Sequence, residues 1–208
     1  MLDTQAAIVV IADTRKRDGL PPLALQSFWG TPLVRHVTQS ALEAACGPVV
    51  VVSGEHASFV KHAISGLHVD TVASDPRSRG SVEALQAALR ALDASRRFDA
   101  VVAIRAEQVL VTGGRIRQLV SACRTQGRAL AVARHRSGVG LPACFNGYTI
   151  DWLLTLPRGA ELDACVEKAG ADCVYLECPE AEPTAAQGLT SGLYAGIAWT
   201  AQPTVHAV

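Results

Sequence analysis

A three-layer α/β/α domain around a mostly parallel, mixed sheet is the fold class this sequence predicts. Apolar, β-branched runs recur at residues 6–12, 49–53 and 100–104. They are short enough for strands and almost continuously apolar, the pattern of strands covered on both faces. Segments with helical spacing lie between them. The strongest is 81–92, where Val82, Leu85, Leu89 and Leu92 form one stripe. Strands alternating with helices at this spacing imply βαβ units. Right-handed crossovers then bring the loops after the strands to one sheet edge, where ligands bind in such folds.

The elements follow in order. After the strand at 6–12 comes the polar turn Asp13-Thr14-Arg15-Lys16-Arg17-Asp18-Gly19. Pro32 suits the first turn of a helix running to about Ala45, with Thr31 as its cap and Gly47-Pro48 as its stop. A second strand is expected at 49–53, a helix at 56–64 and a short strand at 69–73. Beyond the strand at 100–104, residues 116–123 lie in a further helix, and Gly127 turns the chain into a strand at 129–133. Gly138, Gly140 and Pro142 then interrupt the pattern, and Cys144-Phe145-Asn146-Gly147 reads as a turn. Short helices at 148–156 and 162–168 and a strand at 173–178 complete the pattern. No repeat and no linker divides the chain, so residues 1–208 are expected to form one domain. Residues 179–208, rich in Ala, Gly, Pro and Thr, read either as a loosely packed tail or as a segment ordered by packing Tyr194 and Trp199.

Composition excludes several function classes. The chain of 208 residues is 49% hydrophobic and 18% charged, with 19 basic and 19 acidic side chains. Zero net charge argues against a nucleic-acid partner, which needs a basic surplus. Aromatic residues at 5% argue against a base-stacking platform. No apolar run reaches the ~18 residues of a membrane span, and the opening Met1-Leu2-Asp3-Thr4-Gln5 lacks a basic leader region. The six cysteines, Cys46, Cys123, Cys144, Cys165, Cys173 and Cys178, form no Cys-x-x-Cys pair and sit mostly in apolar surroundings. A reduced, cytoplasmic protein is the expectation. His36, His56, His62, His68 and His135 form no metal-binding His-x-x-x-His pair.

Chemistry is concentrated after the first strand. A buried strand ending in a loop with Arg15, Lys16 and Arg17 is placed to meet phosphates through backbone amides and cationic side chains. On charge alone the same residues also read as a solvated basic turn.

Six segments, in order, resemble the MobA-like NTP transferase family. Residues 11–19 stand where that family carries L-A-A-G-x-S-x-R-x-G-x-x-K. Trp29-Gly30-Thr31-Pro32-Leu33-Val34-Arg35-His36-Val37 resembles G-x-P-L-L-x-H-V, and residues 49–54 resemble the second strand. Asp75-Pro76 with Gly80-Ser81 and Leu85 resembles N-P…G-x-x-x-S-L. Arg105-Ala106-Glu107-Gln108-Val109-Leu110-Val111-Thr112 resembles the metal loop L-A-D-Q-P-L-V-T, and Gly140-Leu141-Pro142-Ala143-Cys144-Phe145 resembles G-H-P-V-L-F. The likeness spans about residues 6–180, and the subgroup it points to is the molybdenum-cofactor cytidylyl- and guanylyltransferases.

The resemblance implies the nucleotide-diphospho-sugar transferase fold, which is Rossmann-like. It also implies transfer of a nucleotidyl group from CTP or GTP, with Mg2+, to a phosphorylated cofactor such as molybdopterin. Arg15 and Arg17 would be catalytic, acting on the phosphates. Ala12, Asp13, Thr14, Asp75 and Ser81 would bind the nucleotide, and Glu107 would hold the metal. A homo-oligomer or a partner protein is compatible with this reading. Several positions depart from the family pattern. Thr14 replaces the signature glycine, Asp13 the alanine before it, Glu107 the metal aspartate and Leu141 a histidine. The signature lysine falls near Pro22 or Leu23, and the late D-x-D-T-P-E-D motif has no clean counterpart. Two alternatives therefore stand beside the first reading. One is a catalytically eroded homologue serving as a nucleotide-binding or protein-interaction module. The other is a sugar- or isoprenoid-precursor cytidylyltransferase.

The departures yield a first prediction. Asp13 sets a negative charge, and Thr14 a side chain, where a polyanion would meet bare backbone. Triphosphate affinity should therefore be weak and should rise in the double variant Asp13→Ala/Thr14→Gly. Parallel calorimetric titrations with CTP and GTP test this, and an unimproved affinity would show that neither residue is a defect.

Overall fold

The computed structural model describes residues 5–12, 22–75, 80–93, 98–136, 138–169 and 172–178. Strand β1 (Gln5–Ala12) sets the layering. From Ala6 onward it is fully buried, and its side chains alternate between two separate cores. Ala6, Ile8, Val10 and Ala12 face helices α1 (Leu33–Ala44), α2 (Ala57–Ala63) and α4 (Gly113–Gln126). Ala7, Val9 and Ile11 face helices α3 (Ser81–Asp93), α5 (Ile150–Thr155) and α6 (Leu162–Lys168). Period-2 apolar continuity in the strand and period-3.6 stripes in the helices thus produce the three layers.

The sheet also contains β4 (Val49–Ser53), β5 (Asp70–Ala73), β6 (Phe98–Arg105), β7 (Leu130–His135), β8 (Gly138–Asn146) and β9 (Cys173–Glu177). Its order is β5-β4-β1-β6-β8-β7-β9. The runs at 6–12, 49–53 and 100–104 are neighbours, as the sequence predicts, with Ile8 opposite Val49 and Val102. Strand β8 is antiparallel to β6 and β7, while the β1–β4, β1–β6, β4–β5 and β7–β9 pairs are parallel. A mostly parallel, mixed sheet results.

Two local expectations are corrected. The first concerns residues 138–146, expected to be interrupted and to turn at 144–147. They form strand β8 instead, with Leu141, Ala143, Cys144 and Phe145 fully buried. Proline is tolerated because the β7–β8 register jumps there: Val132 pairs with Ala143 and Ala133 with Gly140. Leu141 and Pro142 occupy the bulge, where a missing N–H breaks no ladder bond.

The second concerns the start of α1. Thr31 is not its cap. It pairs with Phe28 across a small hairpin formed by β2 (Ser27–Phe28) and β3 (Thr31–Pro32). Pro32 holds the cap position, and the Leu33 N–H donates to the Gln26 carbonyl at 2.9 Å. The hairpin thus supplies from backbone what a side-chain cap would supply.

The end of α1 falls where the sequence places it, at about Ala45. The helix stops before Gly47-Pro48, at Ala45, whose φ of 51° is left-handed. The carbonyls of Cys46 and Pro48 accept from the N–H groups of Ala6 and Ile8, each at 2.9 Å, so that stretch is already committed to β1.

Helices α1 and α4 meet closely at Gly113. A Cβ there would lie 2.8 Å from the Ala44 nitrogen and 2.9 Å from the Ser40 carbonyl oxygen, whereas at Gly114 the nearest atom is 3.7 Å away. Gly113→Ala should destabilise by about 1–3 kcal/mol through overpacking against backbone. Gly114→Ala should be neutral or stabilise by about 0.5 kcal/mol. Chemical denaturation of both variants checks this; equal effects would refute the close contact.

Candidate functional site

Strands β1, β4 and β6 are parallel and buried on both faces, so their polar ends gather at one edge. Ala12 ends β1 opposite Ser53, and Ile11 stands opposite Arg105 at the end of β6. Beyond β6 the chain turns tightly: the Ala106 N–H donates to the Ile11 carbonyl at 3.0 Å and the Gln108 N–H to the Arg105 carbonyl at 3.1 Å. Glu107 lies on this turn and is half-buried. Ser81 opens α3, whose N-terminus comes to the same edge because the helix returns antiparallel to the strands. Asp75 follows β5 by two residues and pairs with Arg158 at 3.5 Å. Ala12, Asp75, Ser81 and Glu107 therefore share the carboxyl edge of the sheet. Asp13, Thr14, Arg15 and Arg17 lie outside the described residues.

The structure adds a polar network that the sequence reading did not single out. Arg105 is the last residue of β6, and its side chain is only 10% exposed. Its Nη2 donates to Glu161 at 3.4 Å and to Asp163. Glu161 precedes α6 and also accepts from the Ser81 hydroxyl at 2.7 Å and from the Ser81 N–H at 3.4 Å. The Ser81 hydroxyl in turn accepts from the Leu162 N–H at 2.8 Å. Asp163 accepts from the Leu141 N–H at 2.8 Å. Gln108, fully buried, accepts from the Arg105 N–H at 2.9 Å and donates to the Leu141 carbonyl. Both polar groups of the bulge residue Leu141 are thereby satisfied by side chains, as buried backbone requires.

Burial works to lower the Arg105 pKa. The charges of Asp163, Glu107 and Glu161, with the hydrogen bond to Asp163, outweigh it and shift the guanidinium upward, so it stays charged. One signal in the sequence points to this hub: a single arginine closing the apolar run 100–104. The partners Glu161 and Asp163 lie more than fifty residues away in the chain and carry no local pattern.

A family model for the MobA-like NTP transferase domain matches residues 7–174. The chain belongs to that family. Among curated proteins, the 3-deoxy-manno-octulosonate cytidylyltransferase of Paramagnetospirillum magneticum is 33% identical over 101 residues. That match covers 48% of this chain and 40% of the relative, so the likeness spans well under half of the cytidylyltransferase. Among solved structures, Rv0371c from Mycobacterium tuberculosis superposes with a TM-score of 0.73 at 22% identity, covering 84% of this chain and 89% of that one. A CMP:2-keto-3-deoxy-manno-octonic acid synthetase solved with CTP superposes with a TM-score of 0.66 at 14% identity, covering 84% and 90%. The Mycobacterium tuberculosis protein has also been solved with manganese, at a TM-score of 0.68 to this chain. At these identities the structural likeness establishes the fold.

For a MobA-like chain the donor set can be tested against a divalent metal. Among the described residues no group of three or more His, Cys, Asp or Glu is placed to hold one. Glu161 and Asp163 are engaged with Arg105, and Glu107 is a further carboxylate near it, on the strand-end turn. Such a set fits Mg2+ that keeps its waters and arrives with a triphosphate, because that ion commonly uses one or two carboxylates plus substrate phosphates. Among the described residues, no helix is long and apolar enough to cross a membrane.

The buried amide of Gln108 is open to a direct test. Gln108→Leu keeps the volume but strands the Arg105 N–H and the Leu141 carbonyl. Stability should fall by about 3 kcal/mol, since each unsatisfied buried group costs about 1–3 kcal/mol. Urea denaturation measures the loss; a change below about 1 kcal/mol would show that these groups find other partners.

Proposed function

We propose that this chain transfers a nucleotidyl group from CTP or GTP to a phosphorylated small-molecule acceptor, a molybdopterin-type cofactor being the acceptor class. The observation that carries the reading is family membership over residues 7–174. Its support is the placement of Ala12, Ser81 and Glu107 on one carboxyl edge. In this reaction an oxygen of the acceptor phosphate attacks the α-phosphorus. The new P–O bond forms as the bond to the β-phosphate oxygen breaks, and pyrophosphate leaves with that electron pair. The protein's contribution is positioning and charge neutralisation. Arg15 and Arg17 would neutralise the triphosphate, and Ala12, Asp13, Thr14, Asp75 and Ser81 would line the nucleotide. Glu107 would hold Mg2+, which when bound supplies Lewis-acid polarisation of the phosphates.

A second reading, cytidylyl transfer to a sugar acid, is favoured by the 33% identical stretch shared with the octulosonate cytidylyltransferase. Both readings place the enzyme where NTP and acceptor meet, in the cytoplasm. The departures at Asp13, Thr14 and Leu141 keep the eroded binding module as a further outcome of the experiment.

Calorimetric titration of CTP, GTP and ATP with Mg2+ should give binding of CTP or GTP with ATP at least tenfold weaker. Pyrophosphate release should follow when the matching acceptor is added. Glu107→Ala should abolish metal-dependent release, a loss on the order of 100-fold or more, with an unchanged unfolding midpoint. Nucleotide binding without pyrophosphate release on any acceptor would favour the eroded module. Release with a sugar acid alone would favour the second reading.

A further inference from the structure

We propose that Arg105 is a positioning residue that couples the Glu107 turn to the Ser81 end of α3, so that the two sides of the nucleotide site move as one unit. The functional meaning of this coupling rests on the nucleotidyltransferase reading.

The covalent path between Glu107 and Ser81 is 26 residues long, but the path through Arg105 is short. Its backbone N–H is fixed by Gln108 at 2.9 Å, and the Gln108 N–H returns to the Arg105 carbonyl at 3.1 Å. Glu107 sits inside that closed turn. On the other side, the Arg105 guanidinium meets Glu161, which holds both the hydroxyl and the N–H of Ser81. Asp163 ties the same guanidinium to the Leu141 N–H, and Gln108 closes the ring on the Leu141 carbonyl. The fit is tight: a Cβ on Gly140 would lie 2.4 Å from the Asp163 carboxylate, and one on Gly80 would lie 2.3 Å from the Ala160 carbonyl oxygen. One guanidinium thus joins the β6 turn, the β8 bulge and the starts of α3 and α6.

Well-packed apolar residues often match or exceed a buried ion pair in stability, so the proposal is tested by coupling and not by stability. Both carboxylates are met by one nitrogen of the guanidinium, Nη2, which draws Glu161 and Asp163 to a single point.

The experiment has two arms. In the first, Ser81→Ala and Glu107→Ala are combined, and CTP and GTP affinities are measured with Mg2+ in the wild-type and Arg105→Met backgrounds. In the wild type the double loss should differ by about tenfold from the product of the single losses, and in Arg105→Met it should equal that product. Arg105→Lys should restore part of the coupling. Because Arg105→Met leaves two carboxylates unpaired, the same cycle is run in Arg105→Met/Glu161→Gln/Asp163→Asn, which removes the charges together and should also lack coupling.

The second arm needs no nucleotide. Amide exchange at Leu141, Leu162 and Gln108 should speed up together by about tenfold or more in Arg105→Met, while Val51 and Leu119 keep their protection. Coupling that persists without Arg105, or exchange that speeds up at one of the three sites alone, would overturn the proposal. If the wild type binds neither nucleotide, the nucleotidyltransferase reading fails, and the exchange arm still decides whether Arg105 joins the two sides.

Discussion

Burial of β1, β4 and β6 on both faces is the constraint from which the rest of this molecule follows. Ala6, Ala7, Ile8, Val9 and Val10 are inaccessible to solvent, as are Val101, Val102, Ala103 and Ile104 on the neighbouring strand. A charge in such a layer would lose its hydration without compensation. Polar chemistry is therefore pushed to the strand ends, and the parallel connections bring those ends to one edge. Arg105 occupies the first position on β6 where a cation can reach carboxylates from other elements. Ser53 occupies the matching end of β4.

The ion pairs of the molecule separate by environment. Arg134 and Glu177 at 3.4 Å, and Arg128 and Asp172 at 3.8 Å, are half-exposed or more and contribute little in water. Arg134 gains more from lying over the Tyr175 ring, 4.5 Å from its centroid. Arg105 is different because its side chain is nearly enclosed and both of its carboxylate partners come from the start of α6, distant in the chain. There the low local dielectric strengthens the pairing and also makes an unpaired carboxylate costly. Position is thereby enforced at the carboxyl edge and left free on the outer surface.

The same edge connects fold to function. A sheet of this order leaves the starts of α3 and α6 beside the ends of β1 and β6, so a ligand placed there touches backbone from several elements at once. Family membership over residues 7–174 gives that edge its chemical meaning, since nucleotidyl transfer depends on holding a triphosphate and an acceptor in line.

What the sequence determined by itself was everything governed by local periodicity. The runs at 6–12, 49–53 and 100–104 became adjacent buried strands, the stripe at 81–92 became α3, and the ordered motifs were enough for the family. These signals are legible because each residue's face is set by its near neighbours along the chain. Tertiary structure alone decided the remainder. Residues 138–146 became a strand because a bulge excused Pro142 from the ladder while Gln108 and Asp163 satisfied Leu141. Thr31 went to a hairpin, because a backbone partner took the bond at the start of α1 that a side-chain cap would have made. Arg105 became a hub because Glu161 and Asp163 reach it from more than fifty residues away. Periodicity reports which way a side chain faces; only packing reports what it meets there.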